Sequence, residues 1–356
     1  MSALENNLVA VIMAGGMGTR FWPLSTPERP KQFITLQGDR SLLQMSFDRL
    51  RGLVEPDRIL LLTNAAHVAL AREQLPELPA AHVIGEPLRR DTAAAVALAA
   101  VLVRRRFGDG IILTLTADHL IEPTDLFQQD LVSAARQVAA ADVFYTFGIR
   151  PAYPATVYGY LETGAALAAD GAIEHFELRR FKEKPDLETA RRYVDSGRFL
   201  WNSGMFVWRA ATILREIRTW LPGHAEALEP LGACDGTPRW QEALERAFSA
   251  IRPISIDYGV MEKTRTPLRC VSSRFSWSDV GGWLAVRDLL PAGPGGNAAR
   301  GTLKAVDASG NLVFCETPDE TVALIGVDGL VVVRSGNRTL VARKEDVDRI
   351  RELSEP

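Results

Sequence analysis

The segment Val9–Phe33, VAVIMAGGMGTRFWPLSTPERPKQF, constrains this chain more tightly than any other. A short apolar run, Leu8 to Met13, has the length and composition of a buried strand. It breaks on Gly15-Gly16 and again on Gly18, then delivers Arg20 and, eleven residues later, Lys31. Glycines after a strand let backbone N–H groups close on an anion with no Cβ in the way. Arginine adds a planar, permanently charged fork for phosphate, and lysine a mobile point charge. A strand, a bare loop and two cations suit a polyphosphate ligand.

Two familiar glycine loops are excluded by their own spacing. The dinucleotide fingerprint needs a third glycine where this chain has Phe21, and the P-loop needs Gly-Lys-Ser/Thr where it has Gly18-Thr19-Arg20. The residues AGGMGTRFWPLSTPERPKQF instead resemble the signature of sugar-1-phosphate nucleotidylyltransferases, in the mannose-1-phosphate guanylyltransferase branch, whose version includes FWPLS and PKQF. The resemblance implies a transfer of GMP from GTP to mannose 1-phosphate. It also implies that Ala14, Gly15, Gly16, Gly18 and Thr19 line the nucleotide, with Arg20 and Lys31 among the catalytic cations.

At 356 residues with 47% hydrophobic and 24% charged residues, the chain has the make-up of an ordinary soluble globular protein with a sizeable core. A net charge near −3 gives no basic stripe for nucleic acid, and no apolar run reaches the ~18 residues of a membrane span. The opening MSALENNLVAV lacks the pattern of a signal peptide. Cys234, Cys270 and Cys315 are widely spaced and read as reduced thiols, so a cytoplasmic location is expected. Arg104-Arg105-Arg106 ends a helical stretch, where it is expected to complement the dipole and face water.

Apolar strands alternate with helical patterns through the first half: strands at Ile59–Leu62, Ile111–Leu115 and Val143–Phe147, and helices at Thr92–Val103 (capped by Asp91) and Asp125–Ala141. This predicts an α/β fold with a mostly parallel, Rossmann-like sheet covered on both faces. Helices are expected at Leu187–Ser196, Ala211–Leu221 and Pro238–Ile251. The linker Pro291–Asn297 then divides a catalytic domain, 1–290, from a β-rich domain, 291–356, with strands at Leu312–Cys315, Val322–Ile325 and Leu330–Val333 and a final polar helix Lys344–Leu353. By resemblance the first domain is GT-A-like and the second a partial left-handed β-helix.

Asp118, in T-A-D-H after a predicted strand, and Asp279, in W-S-D-V-G-G-W, are two carboxylates on separate loops. By position alone the first is equally a turn residue and the second a helix cap. Magnesium takes one or two carboxylates and completes its shell with phosphate oxygens and water. The family's metal-binding aspartates fall in these two motifs, so the resemblance assigns Asp118 and Asp279 to Mg²⁺. Phe181-Lys182-Glu183-Lys184-Pro185 resembles the family's F-x-E-K-P block, which gives Glu183 the sugar hydroxyls and Lys184 the sugar phosphate. Gly159 in VYGYLE and Asn202 in WNSGMF resemble further sugar contacts. Glu86, Arg90, Asp91 and Thr92 lie in a segment similar to the guanine-reading loop, with Asp91 where the family often has Asn. The block SIDYGVMEK (255–263) matches another family block and is expected only to buttress the site. A homodimer is consistent with the resemblance. The same chemistry on another sugar 1-phosphate and nucleotide, and a non-catalytic sugar-nucleotide sensor, are the competing readings.

Overall fold

The apolar run at the start of the chain becomes β1 (Leu8–Ala14), which sits between two parallel neighbours, β2 (Ile59–Asn64) and β4 (Ile111–Thr116). Val11 lies opposite Leu60 on one side and Thr114 on the other. A strand flanked and covered on all sides must be apolar throughout, which is why β1 reads as an unbroken run and not as an alternation. The computed structural model describes Leu4, residues 7–16 and residues 18–353. Met17 of the glycine loop, and Met1–Ala3, Glu5 and Asn6 of the opening stretch, lie outside the described residues.

The remaining strands of this sheet are β3 (Val83–Glu86), β5 (Phe144–Ile149), β6 (Tyr160–Ala166), β7 (His175–Lys182), β8 (Phe199–Arg209) and β9 (Leu268–Ser272). Their order is β3-β2-β1-β4-β8-β5-β9-β7-β6. Only β7 and β8 run against β1, so seven of the nine strands point the same way. The expectation of a mostly parallel α/β sheet therefore holds, and the two reversed strands bring together segments distant in sequence.

Helix α1 (Asp91–Phe107) is buried all round from Ala93 to Val103 because helices Ala210–Trp220, Pro222–Leu228 and Leu231–Cys234 cover it opposite the sheet. Its cap position is Arg90, not Asp91: Asp91 has φ +63°, which an aspartate tolerates, and its carboxylate accepts from Thr92 N at 2.7 Å. The basic run also departs from expectation. Arg106 turns back into a bidentate pair with Asp235 (2.7 and 2.8 Å) and donates to Ala81 O, so this arginine staples helices and does not simply face water.

The chain divides into two compact units, each discontinuous in sequence: Met1–Gly15, Ser46–Ala117 and Ile121–Trp277 form the first; Gly16–Met45, Asp118–Leu120 and Ser278–Pro356 the second. The first contains the large sheet. In the second, β10 (Ala298–Arg300), β12 (Leu312–Cys315) and β14 (Leu330–Ser335) stack in parallel, with Ala298, Leu312 and Val331 on one rung line. A second parallel pair joins β11 (Thr302–Val306) to β13 (Thr321–Ile325), and β15 (Arg338–Arg343) closes antiparallel on β14.

Successive coils are tied by a buried asparagine ladder: Asn297 Oδ1 accepts from both N and Nδ2 of Asn311, and Asn311 Oδ1 accepts from Leu330 N. Buried amides stacked this way satisfy the turn backbone that a coil cannot satisfy alone. The expected final helix is a run of 3₁₀ turns, Lys344–Leu353. Val347 and Ile350, three apart, are its buried residues, and that spacing suits three residues per turn.

Candidate functional site

Lys31 is the centre of the second unit's polar cluster. It is only 7% exposed, and its Nζ donates to Asp118 Oδ2 at 3.1 Å and to the backbone oxygen of Asp279 at 2.5 Å. Gly18 has φ +61°, and a Cβ placed there would collide with Lys31 Cβ. The glycine is thus required twice, by its backbone angle and by the lysine lying against it. Phe21 underlies the ammonium, 5.8 Å from ring centroid to Nζ, and packs edge-on against Trp283. Trp283 in turn donates its indole N–H to Trp22 O at 3.1 Å. Phe21, Trp22 and Trp283 therefore share one core with Leu24, Val280, Phe314 and Val347, which fixes the distance between Lys31 and Asp279.

Arg20 Nη1 donates to Gly281 O at 3.0 Å. A Cβ on Gly281 would sit 3.2 Å from Asp279 Oδ2 and 3.4 Å from Arg20 Nη1, so this glycine lets carboxylate and guanidinium approach from either side. Between Asp279 and Gly281, Val280 is fully buried and held at φ +44°. A β-branched residue in that region carries of order 1–3 kcal/mol of strain, sustained here by the side chain's place in the core. Burial alone would raise the Asp118 carboxyl, but Lys31 and His119 (3.8 Å from Oδ1) hold it below the usual carboxylate range. Among the described residues no three His, Cys, Asp or Glu side chains are arranged to hold a metal ion by themselves. Asp118 and Asp279 offer two oxygen donors, a set that fits a hard cation sharing its shell with phosphate.

A second cluster forms in the first unit, and strand register explains it. Tyr160 on β6 pairs with Lys182 on β7 and with Trp201 on β8. One step outward, Gly159 must therefore lie between Glu183 and Asn202. Asn202 N donates to Gly159 O at 2.8 Å and Lys184 N to Tyr158 O at 3.2 Å. A Cβ at Gly159 would overlap Glu183 Oε2. Lys184 takes φ +46° and brings Nζ to 3.3 Å from Glu183 Oε1. Burial raises the Glu183 carboxyl against the pull of Lys184. Thr146 Oγ1 donates to Asn202 Oδ1 at 2.8 Å, while Asn202 Nδ2 donates to Asp257 Oδ1 at 3.3 Å. Gly159, Glu183 and Asn202, three of the four expected sugar contacts, thus meet on one rung, and Lys184 follows one step outward beside Tyr158.

The expected base-reading segment leaves β3 in the same unit. Glu86 Oε2 lies 3.9 Å from where a Gly15 Cβ would be, and burial pushes the Glu86 carboxyl up to about 8. Thr92 Oγ1 accepts from Ile256 N at 2.8 Å, and Arg90 Nε donates to Phe248 O at 2.6 Å. Arg90 and Thr92 therefore anchor the loop, whereas Glu86 presents the free-standing polar chemistry beside Ala14-Gly15. Sequence reasoning passed over Asp257 and Thr146. The SIDY block marked the first; the second is one polar residue in an apolar strand.

Comparison with known proteins identifies the family. Residues 9–292 match the nucleotidyl transferase family and residues 303–355 the "MannoseP isomerase/GMP-like beta-helix domain". The mannose-1-phosphate guanylyltransferase of Escherichia coli K12 is 37% identical over 99% of this chain and 73% of its own length. This chain belongs to the nucleotidyl transferase family, in its mannose-1-phosphate guanylyltransferase branch. The Klebsiella pneumoniae member is 38% identical over 95% of this chain and 71% of its own. A crystal structure described as "mannose-1-phosphate geranyltransferase" from Thermus thermophilus superposes with a TM-score of 0.86 at 35% identity, covering 98% of both chains. Family membership makes the chain a nucleotidyltransferase with an α/β domain and a β-helix-like C-terminal domain. Among the described residues no helix is long and apolar enough to cross a membrane.

Proposed function

We propose that this chain converts GTP and α-D-mannose 1-phosphate into GDP-mannose and pyrophosphate. The observation that carries the site assignment is Lys31 Nζ, nearly buried and bridging the Asp118 carboxylate and the Asp279 backbone. A buried ammonium between those two motifs is the arrangement a reacting phosphate needs.

A phosphate oxygen of the sugar attacks the α-phosphorus in line, forming the new P–O bond as the α–β bridging P–O bond breaks and pyrophosphate leaves. The nucleophile is already largely dianionic near neutrality, its second pKa being about 6, so no side chain need remove a proton. Catalysis is then positioning and charge stabilisation. Arg20, with Thr19 and the backbone of Gly15, Gly16 and Gly18, holds the leaving β/γ-phosphates. Lys31 neutralises charge growing at the α-phosphate, and Lys184 holds the attacking phosphate. Asp118 and Asp279 would hold Mg²⁺, which supplies charge neutralisation to the phosphates when bound.

Glu183 and Asn202 take sugar hydroxyls. Glu86, when ionised, accepts from guanine N1–H and the 2-amine together, a pair of donors that adenine and the pyrimidines lack. Residues 1–290 carry this chemistry and 291–356 form the appended domain. Three free cysteines support a cytoplasmic enzyme. A homodimer, carried by the family resemblance, is testable by sedimentation.

The deciding experiment follows pyrophosphate release with Mg²⁺, mannose 1-phosphate and each of four NTPs. Release with GTP alone supports the reading. Release with another NTP keeps the mechanism and removes Glu86 as the base selector. Binding of sugar nucleotide without any release, repeated with other sugar phosphates, makes the chain a sensor and overturns the proposal.

A further inference from the structure

Asp257 opens a five-residue π-turn, Asp257–Met261, whose Gly259, Val260 and Met261 are buried. Such turns are uncommon and concentrate at functional sites. The turn is held from outside its own segment. Ile254 N donates to Arg90 O, Ala93 N to Ile254 O, and Ile256 N to Thr92 Oγ1, so residues 254–256 are stitched to the head of α1. That anchoring delivers the Asp257 carboxylate to Asn202.

The amide of Asn202 is gripped at both ends. Its Oδ1 lies 2.8 Å from the Thr146 hydroxyl, whose single hydrogen is shared with Met205 O at 2.9 Å, and one hydrogen of Nδ2 goes to Asp257 Oδ1 at 3.3 Å. A flipped amide would set its oxygen against the Asp257 carboxylate, so the ionised form of Asp257 fixes which way Asn202 faces. The second Nδ2 hydrogen is thereby aimed, not left to rotate. Glu183 stands on the other side of Gly159, and Lys184 and Asp91 are the further charges near Asp257. Burial first, and then Glu183, raise the Asp257 carboxyl to about 7. That repulsion is a cost the cluster would shed if a helix-capping or apolar residue served equally well.

Resting on the sugar-phosphate reading above, we propose that Asp257 is a positioning residue for the hexose: by accepting from Asn202 it fixes the amide that the sugar meets, and so sets which sugar epimer the pocket accepts. The effect reaches substrate through Asn202. It belongs to binding of the sugar phosphate and not to the chemical step or to GTP.

The test uses the full-length protein with Mg²⁺, measuring pyrophosphate release against mannose 1-phosphate and against its C2 epimer, glucose 1-phosphate. Asp257→Leu keeps the branching of the side chain and loses the acceptor; Asp257→Asn keeps an acceptor oxygen. Asp257→Leu is expected to raise KM for mannose 1-phosphate about tenfold or more, with kcat changed less than about threefold and KM for GTP unchanged. Discrimination between the two epimers should shrink by a similar factor, and Asp257→Asn should restore most of both. Unchanged sugar KM and epimer ratio in Asp257→Leu would overturn the proposal. So would a parallel rise of both KM values with a lowered Tm, which marks a structural role, or an Asp257→Asn as impaired as Asp257→Leu. Failure of the unaltered protein to release pyrophosphate with any sugar 1-phosphate would instead defeat the functional reading itself.

Discussion

The two polar clusters are built on opposite electrostatic plans. Around Lys31, a cation is set between a carboxylate and a backbone oxygen, and the Asp118 carboxyl is held below its ordinary range. Around Gly159, carboxylates are gathered together, and Glu183 and Asp257 are both pushed up. A phosphate site must offer fixed positive charge, so opposite charges hold it in place beforehand. A hydroxyl both donates and accepts, and burial raises Glu183 and Asp257 toward the neutral carboxyl, which can do either. Lys31 should therefore govern rate, and the carboxylate cluster affinity.

The strongest test of that division is Lys31→Ala. Turnover is expected to fall by two to three powers of ten, roughly 3–4 kcal/mol, with the circular dichroism unchanged; Asp279→Asn should behave alike. A near-normal kcat in either would remove that residue from the phosphate cluster's task. Gly159→Ala is the matching test for the sugar cluster. Its Cβ overlaps Glu183 Oε2, so KM for mannose 1-phosphate should rise about tenfold while KM for GTP stays put. If kcat collapsed instead, the contrast between rate and affinity would break.

Glu86 adds a dependence on pH. Its carboxyl lies at about 8 against an ordinary 4.5, so between those values the folded protein keeps a proton that the unfolded chain has released. Stability from this residue is therefore greatest below about 4.5 and declines as pH rises toward about 8. Because the ionised form accepts from guanine, KM for GTP should fall over pH 6 to 8, and Glu86→Gln should flatten both trends. A pH-independent GTP KM in the unaltered protein would count against Glu86 as the base reader. The smallest expected effect is Thr146→Val, which removes one grip on Asn202 and should cost the sugar KM a few-fold, of order 1 kcal/mol.

Much of this was legible in the order of residues. An apolar run ending in glycines gave β1, and the strand at Ile111 put Asp118 just past a carboxyl end, where open α/β sheets place ligands. Strands such as Leu312–Cys315 fall where local pattern puts them. The Asp91 cap and the outward-facing Arg106 did not hold, because a positive φ and a distant partner, Asp235, are invisible to local pattern.

Local sequence thus settles a menu: which segments are strands, which loop is bare, and which cations and carboxylates follow it. Periodicity and glycine placement are properties of neighbours in the chain, so a linear reading reaches them. Only the tertiary structure decided that Gly18 lies against Lys31, that Gly159 separates Glu183 from Asn202, and that Gly16–Met45 folds with residues beyond 278. Those facts depend on strand register and on how side chains fill a shared core. Both are set by contacts between residues tens to hundreds of positions apart, which no local pattern encodes.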